Sequence, residues 1–330
     1  IKKVCKDIGP RPSGEENERK AQDYVADSMS KVADSVVKEK FELHPKAFMG
    51  WVPLDVILMT ISVILTLLSY FDVLPSASTA FSVVSVVLTS LAIIFTFFEF
   101  LLYKKFLDPF FPKRETYNVV CTRKAAGETK RRIVFSGHID SAYEWYFTHL
   151  GGGKLLTTMI ALAFGAIAIT LAASIVSFFD VPNGVRVTAI VVLFVCLIPI
   201  LMCSKFVNWK LCVPGANDNL TGVFASMSVL RYMAAGLRGA KEYVKKHCGE
   251  DDVETVFVGT DTLRDFDDMG VYNKDMTGTV KLDKQAAAMV KHASDIAGYN
   301  LPYSSVFFGS SDAAAIQQGG MKAVALAAMD

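Results

Sequence analysis

Apolar residues dominate four long segments of this chain, which cover positions 54–71, 79–98, 155–179 and 187–203. The hydrocarbon core of a bilayer is about 30 Å thick, and a helix that crosses it needs roughly 20 predominantly apolar residues. Inside lipid the backbone finds no water, so a helix that satisfies its own polar groups is favoured there. Because soluble helices rarely run so far without a charge, the pattern predicts four transmembrane helices.

The short connections within each pair of segments indicate two hairpins. Positions 72–78 and 180–186 contain Asp, Pro, Asn, Gly and Ser, which end helices and favour tight turns. Each hairpin would leave the rest of the protein and return to the same side. The predicted organisation is a first non-membrane part at 1–50, a hairpin at 51–103, a second non-membrane part at 104–153, a hairpin at 154–204 and a third non-membrane part at 205–330.

Basic residues predict which side of the membrane holds the non-membrane parts. They cluster where those parts join the apolar segments, whereas the hairpin tips offer only Arg186. The clustered residues are Lys46, Lys104, Lys105, Lys113, Arg114, Lys154, Lys205 and Lys210. Because short cytoplasmic loops carry an excess of Lys and Arg, we expect a multi-pass protein whose soluble domain is cytoplasmic.

The remaining stretches alternate between two periodicities. Period-2 or continuous apolar runs predict strands at 36–43, 116–122, 132–136, 254–259 and 322–327, and helical spacing predicts helices at 13–32, 220–234, 237–246 and 284–297. Such alternation is typical of an α/β fold in which helices cover a sheet.

Composition narrows the classes of function. The chain is 52% hydrophobic and has a formal net charge of +1, from 34 basic and 33 acidic residues, so no overall field favours nucleic acid. Its six cysteines form no CxxC pair, which argues against a disulfide framework and against a cysteine-built zinc site. Predictions of partners therefore have to come from local sites.

One candidate lies directly after the predicted strand 132–136. His138 and Asp140 follow it in the string Gly-His-Ile-Asp-Ser, at the carboxyl end where open α/β sheets build their sites. A carboxylate two residues away can orient an imidazole as a metal ligand through its second nitrogen. A purely structural pair is an equally good interpretation of these two residues by themselves.

A second candidate follows the fourth apolar segment. Asp218 belongs to the string Pro-Gly-Ala-Asn-Asp-Asn-Leu-Thr-Gly, which begins at Pro214. Its place before the predicted helix 220–234 also makes it a candidate N-cap.

Together these strings resemble those of the co-catalytic dizinc aminopeptidases, a family that also contains glutamate carboxypeptidase, glutaminyl cyclases and the inactive relatives nicastrin and transferrin receptor. The resemblance extends to the opening Ile-Gly-Pro-Arg-Pro-Ser-Gly at Ile8, to Gly-Leu-Arg-Gly-Ala at Gly236 and to Gly-Ser-Ser-Asp at Gly309. It implies an aminopeptidase-like three-layer α/β sandwich with a mixed central sheet, interrupted here by the two hairpins.

The resemblance also implies a ligand set. His138 would bind one of two Zn²⁺ ions per chain, Asp218 would bridge both, and Asp140 would orient His138. A further carboxylate is expected after the strand 254–259, where Asp261 fits best and Asp265 and Asp275 are the alternatives.

The sequence departs from the family pattern at one place. The family has two consecutive glutamates, a general base and a zinc ligand, immediately before the Gly-Leu-Arg-Gly string, but here Met233-Ala234-Ala235 precede it. A last His ligand would fall after Asp330. Either the protein is a metal-poor pseudoenzyme, or the chain lacks a segment near Ala235 and a tail. Because a lost central strand should leave unpaired backbone groups, we expect the second.

Three functions follow from the resemblance. The first is a membrane-anchored zinc aminopeptidase that hydrolyses peptides at a free N-terminus. The second is an inactive binding or scaffold protein, and the third is a glutaminyl cyclase-like acyltransferase. Asp55 and Glu99 lie near the soluble-domain ends of their predicted membrane helices and are expected to be solvated at the interface rather than to form an ion path, so a transport function has little support.

Overall fold

The computed structural model describes residues 1–124, 128–129, 131–229, 247, 253–263, 266–306 and 309–328. These residues form two compact units, each assembled from separate stretches of chain. We call the first the α/β unit, which comprises Ile1–Pro45, Lys113–Tyr143 and Cys212–Asp330. The second is the helical unit, which comprises Lys46–Pro112 and Glu144–Leu211.

The described elements are numbered in chain order. The helices are α1 (Lys2–Asp7), α2 (Glu16–Ser30), α3 (Ala47–Gly50), α4 (Val52–Tyr70), α5 (Ser78–Phe95), α6 (Tyr146–Val176), α7 (Asn183–Met202), α8 (Gly222–Val229), α9 (Lys284–Ile296) and α10 (Asp312–Gln318). The strands are β1 (Ser35–Leu43), β2 (Arg114–Thr122), β3 (Arg131–Ser136), β4 (Tyr143–Trp145), β5 (Val207–Cys212), β6 (Glu254–Asp261), β7 (Gly270–Asp275), β8 (Val280–Lys281), β9 (Tyr303–Ser305) and β10 (Lys322–Ala327).

A mixed six-stranded sheet forms the centre of the α/β unit. Its order is β3-β6-β10-β7-β8, and β9 pairs with β7. The strands β3, β6 and β10 are parallel neighbours, whereas β7 runs antiparallel to β10. Phe257, Val258 and Val324 are almost fully buried, as expected for strands covered on both faces. The prediction of an α/β fold with a mixed sheet, interrupted by two helical hairpins, is confirmed.

Beside this sheet, β1 and β2 form an antiparallel pair over nine residues each. The apolar face of α2 packs against β2, where Ala21, Val25 and Met29 form one buried cluster with Val119 and Cys121. The five strands predicted from the sequence all exist. The strands β4, β5, β7, β8 and β9 and the helices α1, α3 and α10 were not predicted, because they are short or lack a clear apolar period.

The helical unit contains four helices that are long and apolar enough to cross a membrane. They span Ala47–Tyr70, Pro75–Leu101, Tyr146–Val176 and Asn183–Lys205, so each predicted apolar segment lies in one helix or extends slightly past its end. The third leaves helical geometry at Gly151 and Gly152, just before its apolar part begins. The turn of the first pair lies at 71–77, close to the predicted 72–78, whereas that of the second lies at 177–182 and so begins and ends earlier than the predicted 180–186.

The described part of the chain does not reach every predicted element. Helix α8 is described from Gly222 to Val229, which is the first half of the predicted helix 220–234. The predicted helix 237–246 lies outside the described residues, and so does the place where the family has its two glutamates. The sheet runs without interruption from β3 through β6 to β10. A missing segment near Ala235 stays a prediction.

Two acidic residues of the helical unit differ from the expectation that they are solvated. Asp55 is 6% exposed and Glu99 is 3% exposed. The backbone N–H of Leu107 donates to Glu99 Oε1, and the hydroxyl of Thr96 donates to Asp55 Oδ2. Both carboxyls are therefore enclosed by protein instead of being exposed to solvent, and the prediction of solvation was wrong.

Candidate metal centre

His138 lies two residues beyond the end of β3, in a turn fixed by close backbone packing. A methyl group added at Gly137 would lie 2.5 Å from both the carbonyl carbon of Gly222 and the nitrogen of Val223. Only glycine lets the turn approach the start of α8 so closely. The packing therefore holds the imidazole of His138 beside the segment that precedes α8.

A chain of two hydrogen bonds orients the His138 ring. Its Nδ1 lies 3.1 Å from Asp140 Oδ1, and the hydroxyl of Ser13 donates to Asp140 Oδ2 over 2.6 Å. When Nδ1–H donates to Asp140, the lone pair of Nε2 is free to bind a metal ion. Burial lowers the pKa of His138, but hydrogen bonds and charge from Asp140 and Asp218 more than offset this and raise it well above its ordinary value.

Asp218 lies in the loop before α8 and does not cap that helix. The cap is Asn219, whose Oδ1 accepts a hydrogen bond from Gly222 N and whose amide donates to the carbonyl of Thr260. The peptide bond between Asp218 and Asn219 is cis. The N-cap interpretation of Asp218 was therefore wrong, and its carboxylate is left half-exposed, with Oδ1 3.0 Å from His138 Nε2.

Arg11 joins the His138 turn to the Asp218 loop. Its buried guanidinium donates to the carbonyl of Ile139 on one side, and to the carbonyls of Pro214 and Gly215 on the other, over 2.7–3.0 Å. The backbone groups of Arg11 bond to Ser141 as well. One side chain from the start of the sequence therefore fixes both loops that carry predicted ligands.

Asp261 ends β6, next to a threonine that links the same elements. Thr260 Oγ1 donates to the carbonyl of Ser136, at the end of β3, over 2.6 Å, and lies 3.1 Å from the carbonyl of Gly222. Burial raises the pKa of Asp261 to about 7; the charge of His138 lowers it, and the charges of Asp218, Asp312 and Asp275 raise it. A carboxyl in such surroundings gains from a neighbouring cation.

The structure brings three of the predicted residues together. Ligand atoms of His138, Asp218 and Asp261 all lie within 4.8 Å of one another, which is the geometry of a group that could hold a metal ion. Asp140 lies behind His138, as predicted for a residue that orients a ligand. That these residues bind a metal stays a prediction.

Of the two alternatives to Asp261, Asp275 lies among the described residues and Asp265 does not. Asp275 is fully buried and accepts hydrogen bonds from the backbone N–H groups of Met276 and Ser311 and from the Ser311 hydroxyl. Its carboxylate holds the start of α10, and it does not belong to the group formed with His138.

A further buried carboxylate was not among the site residues predicted from the sequence. Asp312, the first residue of α10, is 6% exposed, and its Oδ1 has no hydrogen-bond partner among the described residues. Burial raises the pKa of Asp312 to about 6, against the opposing charge of His138. Its signal was the Gly-Ser-Ser-Asp string, which supports the family resemblance but, read alone, is a helix start.

The donor set fits zinc. Zn²⁺ binds imidazole nitrogen and Asp oxygen, and catalytic zinc sites use three protein ligands with a further position left for water or substrate. One imidazole, two carboxylates and an orienting carboxylate behind the imidazole match that chemistry. The half-exposed Asp218 leaves one side of the group open.

Comparisons with known proteins give few matches. No model of a known protein family matches the sequence, and no curated protein matches it. Among solved structures, two of BSAP, a zinc aminopeptidase from Bacillus subtilis, are similar at 12% identity and a TM-score of 0.48, over 98% of this chain and 82% of theirs. An aminopeptidase from Aneurinibacillus sp. strain AM-1 is similar at 14% identity and a TM-score of 0.33, over 66% of this chain and 40% of its own length.

Proposed function

We propose that this chain is a membrane-anchored, zinc-dependent peptidase whose metal is held by His138, Asp218 and Asp261. The observation that supports this most directly is the mutual distance of at most 4.8 Å between ligand atoms of these three residues. The three residues lie on different segments, because His138 follows β3, Asp218 precedes α8 and Asp261 ends β6. Hydrogen bonds of Arg11 and Thr260 join these segments. A chance meeting of surface carboxylates would not come with such buried supports.

Bound zinc would lower the pKa of a water molecule and polarise the carbonyl of a scissile peptide bond. The chain's own residues hold the predicted ligands in position for this chemistry. Asp140 keeps the proton of His138 on Nδ1, and Ser13 keeps Asp140 in place. Asp218 is open to solvent, so a peptide carbonyl can approach from its side. Buried carboxyls at Asp261 and Asp312 supply negative charge that favours a cation there.

The family resemblance supplies the finer parts of the proposal. We infer two zinc ions per chain, with Asp218 as the bridge, and a substrate with a free N-terminus. The general base would be a glutamate from the family's Glu-Glu pair, which the sequence lacks where the family has it. Measuring the metal content tests the number of zinc ions, and comparing substrates in an activity assay tests the preference for a free N-terminus.

The side chains of the helical unit favour insertion into a bilayer. Its interior contains a polar cluster, because the hydroxyls of Ser62, Thr66, Ser85, Thr89 and Ser174 are buried and bond to one another over 2.6–2.8 Å. Large apolar residues point outward instead, among them Ile57, Ile64, Val87, Val195 and Ile198. Hydroxyls between helices and apolar groups outside are typical of membrane bundles. The distribution of Lys and Arg favours a cytoplasmic peptidase domain.

A catalytically inactive scaffold is the second candidate. The observation that favours it is the composition of the cluster, because among the described residues the group that could hold a metal contains no glutamate. A cyclase-like acyltransferase is the third, and it predicts pyroglutamate formation without hydrolysis. Activity assays separate both from a peptidase.

Metal content of the purified full-length protein, measured by mass spectrometry, is the primary test. We expect close to two zinc ions per chain, falling after Asp218→Ala and unchanged after Asp295→Ala, which removes an exposed aspartate on α9. Aminoacyl substrates should then be hydrolysed by the unmodified protein and by the Asp295 variant alone. A folded protein without zinc would favour the scaffold over the peptidase, and pyroglutamate formation would favour the cyclase-like acyltransferase.

A further inference from the structure

A cavity of about 90 Å³ lies within the helical unit. Its walls come from all four long helices and from the segments that flank them. Most of the lining side chains are apolar, including the aromatic rings of Trp51, Phe100, Phe164 and Phe206. An apolar lining of this kind favours apolar molecules of matching size.

One carboxyl interrupts the apolar lining. Asp55 lines the cavity and is 6% exposed. Its Oδ2 accepts a hydrogen bond from Thr96 over 2.8 Å, but its Oδ1 is buried and has no hydrogen-bond partner among the described residues. An unsatisfied buried acceptor costs about 1–3 kcal/mol, and more when it is charged. This carboxyl therefore lacks a donor that a ligand in the cavity could supply.

The cavity wall itself offers no cation to pair with Asp55. The lining residues include no Lys, Arg or His, and Thr96 already donates to the other carboxyl oxygen. A cation brought in by a ligand would offset the burial of the carboxylate more than a neutral donor would, because a buried charge is stabilised by pairing. The aromatic rings around it also attract a cation.

We propose that this cavity binds a primary ammonium group carried on a short apolar chain, with the ammonium on Asp55 Oδ1 and the chain against the aromatic wall. Because an engineered cavity of about 150 Å³ accepts the ring of benzene, a slender chain of about four to six heavy atoms is the largest that suits this smaller but half-open cavity. The N-terminus of an apolar peptide has this chemistry, whereas an anionic phosphate, for which the lining offers no cation, closely follows the headgroup amine of a membrane lipid. The site is separate from His138 and its function does not depend on peptidase activity.

The test uses n-pentylamine and n-pentanol with the full-length protein in detergent micelles. Binding is followed by tryptophan fluorescence, to which Trp51 in the wall contributes, and by the shift in unfolding temperature. We expect pentylamine to bind at least tenfold more tightly than pentanol and pentanoate not to bind. Equal affinities for the amine and the alcohol would overturn the proposal and leave a simple apolar void, as would absence of amine binding.

Two variants separate charge from space. Asp55→Asn keeps the shape and should abolish the preference for the amine while pentanol binding stays. Ala163→Leu fills the cavity and should weaken both ligands at least tenfold. Glu99→Gln is the matched control, because Glu99 is a buried acid of the same unit that does not line the cavity, and it should leave both affinities unchanged. Amine binding that survives Asp55→Asn in a folded protein contradicts the proposal.

The source is identified with the same variants. Reconstitution into phosphatidylcholine vesicles with and without phosphatidylethanolamine tests the lipid, and a short apolar peptide amide with a free or acetylated N-terminus tests the peptide. Competition with pentylamine by the free peptide, lost in Asp55→Asn, supports the proposal, and competition by the lipid alone would contradict it. Competition by the acetylated peptide as strong as by the free one would contradict an ammonium site.

Discussion

The guanidinium of Arg11 donates a hydrogen bond to the carbonyl oxygen of Gly215 over 3.0 Å, across 204 positions of sequence. Gly215 has a φ of +57°, and a side chain there would collide with Arg11 and with Ser141. The same guanidinium donates to Ile139, in the turn between His138 and Asp140. The opening string of the chain is therefore part of the support of the candidate metal centre.

Replacing Arg11 by Lys should destabilise the α/β unit. A lysine ammonium is a compact point charge and does not reproduce the planar fork that now serves four carbonyl groups. With carbonyls left unsatisfied, we expect a loss of about 2–4 kcal/mol of unfolding free energy. Denaturant unfolding followed by circular dichroism measures it. Arg19→Lys, at an exposed position of α2, should change nothing, and an equally stable Arg11→Lys variant would contradict the support role.

Asp140→Asn should weaken zinc binding without unfolding the protein. The neutral amide is a poorer partner for the Nδ1–H of His138, and changes to such supporting groups typically lower metal affinity about 10–100-fold. Ser13→Ala acts one bond further out and should have a smaller effect in the same direction. Competition with a zinc-binding dye measures both affinities. The control is Ser28→Ala on α2, whose hydroxyl bonds only its own helix.

Asp261→Asn and Asp275→Asn should separate a ligand from a structural carboxylate. Asp261 belongs to the group with His138, so its loss should lower zinc content. Asp275 accepts hydrogen bonds from Ser311 at the start of α10, so its loss should lower stability by about 1–3 kcal/mol and leave zinc bound. Mass spectrometry and thermal unfolding are run on both variants. The reverse outcome would assign the ligand to Asp275.

Glu18 should make the stability of the protein fall as pH rises. Burial raises the pKa of Glu18 to about 8, assisted by the charge of Asp140, while hydrogen bonds from Thr116 and Gly14 lower it. Because the folded state favours the protonated form, its stabilising contribution is complete below about pH 4.5 and is lost as pH rises through about 8. Over that range the loss amounts to a few kcal/mol.

Unfolding free energies between pH 5 and 9 test this effect. Glu18→Gln keeps an oxygen for Thr116 and Gly14, has no titrating proton, and should flatten the profile. Glu16→Gln, at an exposed position of the same helix, should leave the slope as it is. A Glu18→Gln profile as steep as that of the unmodified protein would assign the pH dependence to other groups.

The local sequence pattern predicted those elements whose apolar period repeats over many residues. The four apolar segments, the strand 132–136 and the helix 284–297 each carry enough apolar positions for the period to be read. β9, with three residues, and β8, with two, do not, because their conformation is imposed by pairing with β7. Asp218 is a similar case, since a carboxylate before a helix is usually a cap and only the neighbouring Asn219 shows that the cap is taken.

The apolar segments, the alternation of strands and helices, and the strings with His138, Asp140 and Asp218 that resemble one family follow from local sequence. The folded structure shows which carboxylate meets His138, that Asp275 instead supports α10, that Arg11 joins two distant loops, and that Asp55 is enclosed beside a cavity. The reason is physical. Periodicity and turn chemistry act between neighbours in sequence, whereas a ligand group, a buried charge and a cavity arise between residues that only the packing of the folded chain brings together.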